Sequence, residues 1–315
     1  MTVTKSAQGA APSLRPARPR YGERVIEGGL FLAALTSIAT TIAIIFAIFE
    51  PAVEFFLEPE ITLTEFFGGT TWTPLFAESQ RQFGVLPLVA ATFTTSWIAL
   101  VVAIPLGLGA AIYLAEYAQP KIRSTFKPIL EILAGIPTVV YGYFALTFFT
   151  PTILKPIFGD SIGTFNMLSA GLIMGVMIIP VVASLSEDAI TAVPQNLREG
   201  AYGMGSTKMQ VSTRVVVPAA VSGIFAAIML AVSRAVGETM IVALAAGKRS
   251  NFSFNPLDDG WTMTGFIVDA AQGDQPTGSI GYESLFAVAA LLFVITFVLN
   301  IISIRLVRKY REEYE

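Results

Sequence analysis

The 315-residue chain is 54% hydrophobic and only 14% charged, where soluble domains carry about 25% charged residues, so lipid is the solvent for much of it. Its net charge of −3 sums sharply segregated basic and acidic segments, and gives no argument for a nucleic-acid partner. With no Cys and no His, the chain excludes disulfides, thiolate chemistry, His-ligated haem or zinc and any His-based triad.

Residues 1–26 form a basic tail in which Lys5, Arg15, Arg18 and Arg20 stand among Pro, Ala and Ser. No apolar segment there leads to a small-residue cleavage site, so the tail is expected to be retained on the cytoplasmic side. A hydrocarbon core of about 30 Å takes about 20 apolar helical residues. Apolar runs at 28–49, 86–115, 132–154, 165–186, 218–247 and 284–304 predict an all-α membrane domain of six spans over 27–308, followed by a second tail at 309–315.

The connections alternate in sign. Arg20 and Arg24 precede the first span, Lys121, Arg123 and Lys127 follow the second, Arg198, Lys208 and Arg214 follow the fourth, and Arg305, Arg308, Lys309 and Arg311 follow the sixth. By the positive-inside rule these segments face the cytoplasm, with both termini inside. The other connections are acidic, from Glu50 to Glu78, at Asp160, and from Asp258 to Asp274, with Arg81, Lys155, Lys248 and Arg249 as exceptions. Pro87, Pro105, Pro137 and Pro180 lie in or beside spans, where a kink frees backbone groups that a bundle must satisfy. Gly107, Gly109, Gly135, Gly142, Gly171 and Gly175 offer close helix approach.

The fourth connection, 187–217, is too long for a helix hairpin and too short for a domain. Pro194 can open a short helix, Gly203 and Gly205 can close it, and Lys208 to Arg214 can form a second, making a compact knob. Within it stand Glu199, Gly200 and Ala201, then Gly205, then nine residues before Val215, Val216, Val217 and Pro218. This resembles the cytoplasmic E-A-A-x-x-x-G-x9-I-x-L-P loop of permeases in binding-protein-dependent ABC importers. It departs in Gly200, Val215 and Val217, which keep size class and spacing. The resemblance implies a type I, MetI-like bundle whose loop docks on an ATPase subunit. No G-x-x-x-x-G-K-[ST] phosphate loop occurs, so the chain is expected to hold no cofactor, with ATP and Mg bound by the partner ATPase.

Three further stretches, Ala103 to Tyr117, Gly135 to Tyr143 and Ser233 to Gly247, are similar to the phosphate-specific permeases of the PstC type. That resemblance implies a PstA-like second permease, two PstB-like ATPase subunits and a soluble PstS-like phosphate-binding protein as partners, besides membrane lipid. Independently of it, the fifth span carries two ionisable residues, Arg234 and Glu238, each costing about 2.5 to 3.5 kcal/mol at mid-membrane. In a continuous helix a spacing of four sets them on one face. There they either pair with each other or face the pathway, where Arg234 offers forked donors to an oxyanion and Glu238 limits its affinity. Thr138 and Tyr141, with Tyr143, are further hydroxyl donors for an anion, and Glu131 is expected at the start of the third span. Alternative readings are the same machinery moving molybdate or sulfate, and an ion-coupled secondary transporter, which leaves the Glu199 loop without a task.

Overall fold

The computed structural model describes residues 21–273 and 275–309. The expected tail charges Lys5, Arg15, Arg18, Arg20 and Arg311, and Asp274, lie outside them. The described helices are, in chain order, α1 (Tyr21–Leu57), α2 (Leu63–Gly68), α3 (Leu86–Ile112), α4 (Pro120–Ala134), α5 (Thr138–Phe144), α6 (Lys155–Phe158), α7 (Met167–Thr191), α8 (Gln195–Gly203), α9 (Lys208–Val211), α10 (Val217–Ala219), α11 (Val221–Val236), α12 (Met240–Ala245), α13 (Met263–Gln272) and α14 (Ile280–Lys309). β-structure among the described residues amounts to two isolated bridges, Thr71 with Asn251 and Trp72 with Phe83.

Two compact units divide the chain, Met1–Ala47 and Ile48–Glu315. In the first, no side chain from Glu23 to Ala47 is buried within the chain. Its polar groups are adapted to lipid: the hydroxyls of Thr36, Thr40 and Thr41 donate back to the carbonyls of Leu32, Thr36 and Ser37 at 2.8, 2.9 and 3.0 Å.

In the second unit α3 and α7 pack along their lengths because glycines let the backbones meet. A Cβ on Gly171 would lie 2.7 Å from Ile98 Cβ, and one on Gly107 would lie 2.7 Å from Val182 Cβ. Gly142 serves a second contact, between α5 and α12, whereas a Cβ on Gly109 would meet open space. Ala99, Ala103, Met174, Met177, Ala231, Ala235 and Ile241 fill the core among α3, α7, α11 and α12. At one end, an aromatic cluster joins Phe66 and Trp72 to Phe266 of α13, the last two rings meeting edge to face at 5.2 Å. At the other end, Ile190, Val193, Val211, Val216 and Ile224 seat the connection between α7 and α11.

Among the described residues, four helices are long and apolar enough to cross a membrane: α1, α3, α7 and α14. Two more crossings exist only if bent pairs count as one span each, Pro120–Ala134 with Thr138–Ser161 at 83°, and Lys208–Ala219 with Val221–Val236 at 70°. The first bend falls at Pro137, which lacks an amide hydrogen and disfavours helix in the residue before it. Pro105 and Pro180, by contrast, lie inside unbroken helices. Beyond α5 the chain winds as a π-helix over Ala145–Leu154, accommodating Pro151 by a wider turn. The apolar run 218–247 is not one helix either: α11 ends at Val236, and α12 begins at Met240.

Candidate functional site at a broken span and a surface knob

The knob is built as its sequence dictates. Pro194 occupies the N-cap of α8 in extended conformation. At the far end Gly205 takes φ +82°, and Ser206 N–H donates to the Ala201 carbonyl at 3.2 Å, reversing the chain. Thr207 and Gln210 then form a reciprocal cap for α9, with Thr207 N–H donating to Gln210 Oε1 at 2.9 Å. Glu199 and Gly200 are exposed, and Ala201 is half-buried against the cluster of Ile190 and Val211. Met204 at the tip is 89% exposed and Met209 69%.

Charged side chains fasten this knob to the spans. The Arg198 guanidinium donates to Glu116 Oε1 from Nε at 3.3 Å and from Nη2 at 3.1 Å. It also donates to the Ile190 carbonyl at 2.9 Å and to the Val193 carbonyl. One helix over, Glu187 is 1% exposed at the end of α7 and is held by Arg123 and Lys127 of α4. Arg123 also donates to Thr191 Oγ1 at 3.0 Å, which donates to Glu187 Oε1 at 3.2 Å. Lys127, which precedes the bend and the span beyond it, holds its proton above the ordinary lysine value. Its hydrogen bond to Asp188 is the main cause and that to Glu187 the next. Glu131 is exposed in the last turns of α4 rather than at the start of α5, because the helix break comes after it.

At the break between α11 and α12 the expected geometry changes. Arg234 and Glu238 do not share a helix face, and no ion pair joins them: the helix stops between them because Glu238 serves the next one. Glu238 Oε1 accepts from the backbone amides of Met240 at 3.1 Å and Ile241 at 3.3 Å, so a carboxylate caps α12 and stabilises a second helix start. It is 7% exposed. The Glu238 carbonyl, freed by the break, accepts from Thr264 Oγ1 at 2.6 Å. Arg234 is left under-satisfied: Nη2 lies 3.2 Å from Met177 Sδ, and its buried Nε has no hydrogen-bond partner among the described residues.

Thr138 and Tyr141 sit beside this break, since their helix α5 packs on α12 at Gly142, where a Cβ would lie 3.0 Å from the Met240 carbonyl. Thr138 is half-buried, and its hydroxyl makes no hydrogen bond among the described residues. Tyr141 Oη donates to the Leu133 carbonyl at 3.1 Å across the α4–α5 bend, which engages its hydroxyl in holding that bend. At the α13 end the basic exceptions in an acidic region are explained by pairing. Lys248 meets Asp269 at 2.7 Å, and Arg249 meets Asp258 and Asp259 at 2.8 and 3.0 Å.

Residues 103–312 match the family of binding-protein-dependent transport system inner membrane components. This segment contains the knob and the broken span alike. The chain belongs to that family. Among its relatives, the probable ABC transporter permease protein YqgH of Bacillus subtilis is 33% identical, with 84% of each chain covered. The phosphate transport system permease protein PstC of Xylella fastidiosa is also 33% identical, over 79% of this chain and 80% of its own. In fold, the chain is similar to the MetNI methionine ABC transporter in inward-facing form, with TM-score 0.54 and 21% identity over 73% of this chain and 95% of that one. The MetI-like bundle is thereby the fold of this permease, a multi-pass inner-membrane protein and a transport component.

For this permease the sequence pointed to Arg234, Glu238, Thr138 and Tyr141, and the fold brings their elements together at one break. It missed Glu116, Glu187 and Thr264. Glu116 and Arg198 are 82 positions apart, and nothing in either neighbourhood marks the other. Glu187 carried a local signal, an acid at the end of an apolar run facing a basic connection.

Proposed function

We propose that this permease carries inorganic phosphate inward across the membrane by alternating access, paired with a PstA-like permease and driven by two PstB-like ATPase subunits that bind ATP and Mg. A PstS-like protein delivers phosphate at the α13 end, and the knob, with Glu199, Gly200, Ala201 and Gly205, docks on the ATPase at the cytoplasmic end. Both termini are then cytoplasmic, in line with the basic flanks Arg24, Arg305 and Arg308.

The observation that carries the reading is the Arg234 guanidinium at a break in a membrane-spanning region, with a buried Nε that no group among the described residues satisfies. An unpaired buried donor costs about 1 to 3 kcal/mol or more when charged, a cost that a passing oxyanion removes. Forked donors suit phosphate oxygens, and Glu238 next to them keeps the site from holding the anion too tightly. The PstC relatives, similar over about four-fifths of this chain, support phosphate over other oxyanions.

The test is uptake into proteoliposomes holding this permease, its partner permease, the ATPase and the binding protein. Uptake of radioactive phosphate is expected to require ATP and every component, and to resist competition by molybdate and sulfate. Arg234→Gln is expected to lower the rate about a hundredfold in a complex that assembles normally. Normal uptake by that variant, or ion-driven uptake without ATP, overturns the proposal.

A further inference from the structure

The acid at the break is held by a third helix besides the two it joins. Its carbonyl is free because α11 has stopped, and the group that satisfies it comes from α13, 26 positions along the chain: Thr264 Oγ1, at 2.6 Å. Thr264 is itself buried, at 6% exposure, so no water competes for this bond. Its helix start is fixed from two further sides. Met263 N–H donates to Thr92 Oγ1 of α3 at 2.9 Å, and Thr92 in turn donates to the Leu88 carbonyl at 2.8 Å. Thr262 caps α13, accepting from Gly265 N–H at 3.1 Å. At its other end α13 carries Asp269, which accepts from Lys248 Nζ at 2.7 Å and from Trp261 Nε1 at 2.9 Å.

We infer that Thr264 is a positioning residue for Glu238, and that α13 is the lever through which the face carrying Lys248 and Asp269 sets the geometry of the break. The inference rests on the proposed role of Arg234 and Glu238 in the pathway. The chemistry is that of a preorganised support. With the Glu238 carbonyl pinned by Thr264 and its carboxylate pinned by the amides of Met240 and Ile241, the residue is held at both ends. Gly237, exposed and without a side chain, is the joint on which the two helices turn when either hold is released. A displacement of α13 on docking of a soluble partner would then reach Glu238 through this hydrogen bond, beside the packing of α13 on α12 where Gly265 meets Ala243.

The natural absence of cysteine makes the break directly readable, because a single thiol at Gly237→Cys needs no background substitution. In the assembled complex in nanodiscs, the labelling rate of that thiol by a small charged reagent reports opening of the break. Thr264→Val, which keeps shape and removes the hydroxyl, is expected to raise the rate about fivefold, while Thr264→Ser leaves it unchanged. On the chain without the reporter, Thr264→Val is expected to lower maximal phosphate uptake by a similar factor and Thr264→Ser to restore it. If Thr264→Val does not assemble, Thr92→Val removes the acceptor of the Met263 amide and is expected to raise labelling in the same direction. Labelling that is the same for the Val and Ser variants overturns the positioning role, whatever Arg234→Gln does to uptake. Changed labelling with normal uptake by Arg234→Gln overturns the pathway reading and leaves the support in place.

Discussion

The permease holds buried charge in two ways. At the knob end, Glu187 and Glu116 are buried but paired with Arg123, Lys127 and Arg198, so that each carboxylate meets cations fixed by further hydrogen bonds. At the break, Glu238 turns to backbone amides and Arg234 keeps a buried nitrogen with no partner among the described residues. Fully paired clusters act as fasteners, because removing a member leaves a stranded charge. A charge left short of partners costs stability and is retained where something outside the chain completes it. The comparison separates groups that hold the bundle from groups that we propose meet the cargo, although both are ionisable residues at helix ends.

The largest expected effect that sharpens this contrast is at Glu187. Glu187→Ala takes the buried carboxylate from Arg123 and leaves Lys127 with Asp188 alone, and is expected to cost about 3 kcal/mol of stability. Thermal unfolding of the complex, or the yield of assembled complex, measures it. Arg234→Gln, by contrast, is expected to assemble as well as the natural chain while losing transport. If Arg234→Gln unfolds the bundle and Glu187→Ala does not, the assignment of fasteners and pathway is reversed.

Next in size is Arg198→Ala. The Arg198 guanidinium ties the knob to the π-helical turn Tyr113–Tyr117 that follows α3, where it meets Glu116, and to the carbonyls of Ile190 and Val193. Losing it removes several charge-assisted bonds, each about 1.5 to 3 kcal/mol before compensation by water. The expected outcome is a bundle that stays folded but couples poorly, with phosphate uptake per ATP hydrolysed falling several-fold. Arg198→Lys, with a single ammonium in place of the fork, is expected to recover part of it. An unchanged transport-to-hydrolysis ratio in Arg198→Ala would show that the knob is not held by this residue.

How much of this was written locally decides how much was legible. The apolar runs behind α1, α3, α7 and α14 show in the sequence because burial in lipid is a property of each segment by itself. The knob showed because Pro194 and Gly205 impose their conformations on neighbouring residues. The break after Val236 did not show. The run from 218 to 247 is uncharged throughout apart from Arg234 and Glu238, and what meets the end of the helix is a carboxylate that caps α12 and a hydroxyl from Thr264. Both are tertiary choices, and a reading that extends the helix through Gly237 puts Arg234 and Glu238 on one face where the fold separates them. Tyr141 was read from the sequence as a hydroxyl donor for an anion, but its bond to Leu133 depends on the bend at Pro137.

The smallest expected effect separates two glycines of the knob that look alike in sequence. Gly200 sits inside α8 with open space where a Cβ would go, so Gly200→Ala adds a good helix former and is expected to be neutral or stabilising by about 0.5 to 1 kcal/mol. Gly205 also has open space, but its φ of +82° is one that an L side chain adopts only under strain. Gly205→Ala is therefore expected to cost about 1 kcal/mol at the turn between α8 and α9. The spans keep their unfolding midpoint, and uptake coupled to ATP hydrolysis falls about threefold, because the exposed tip with Met204 no longer keeps one orientation. Equal behaviour of the two variants would mean that the turn at Gly205 relaxes without consequence, and that only the Arg198 fastening, not the shape of the tip, matters for coupling.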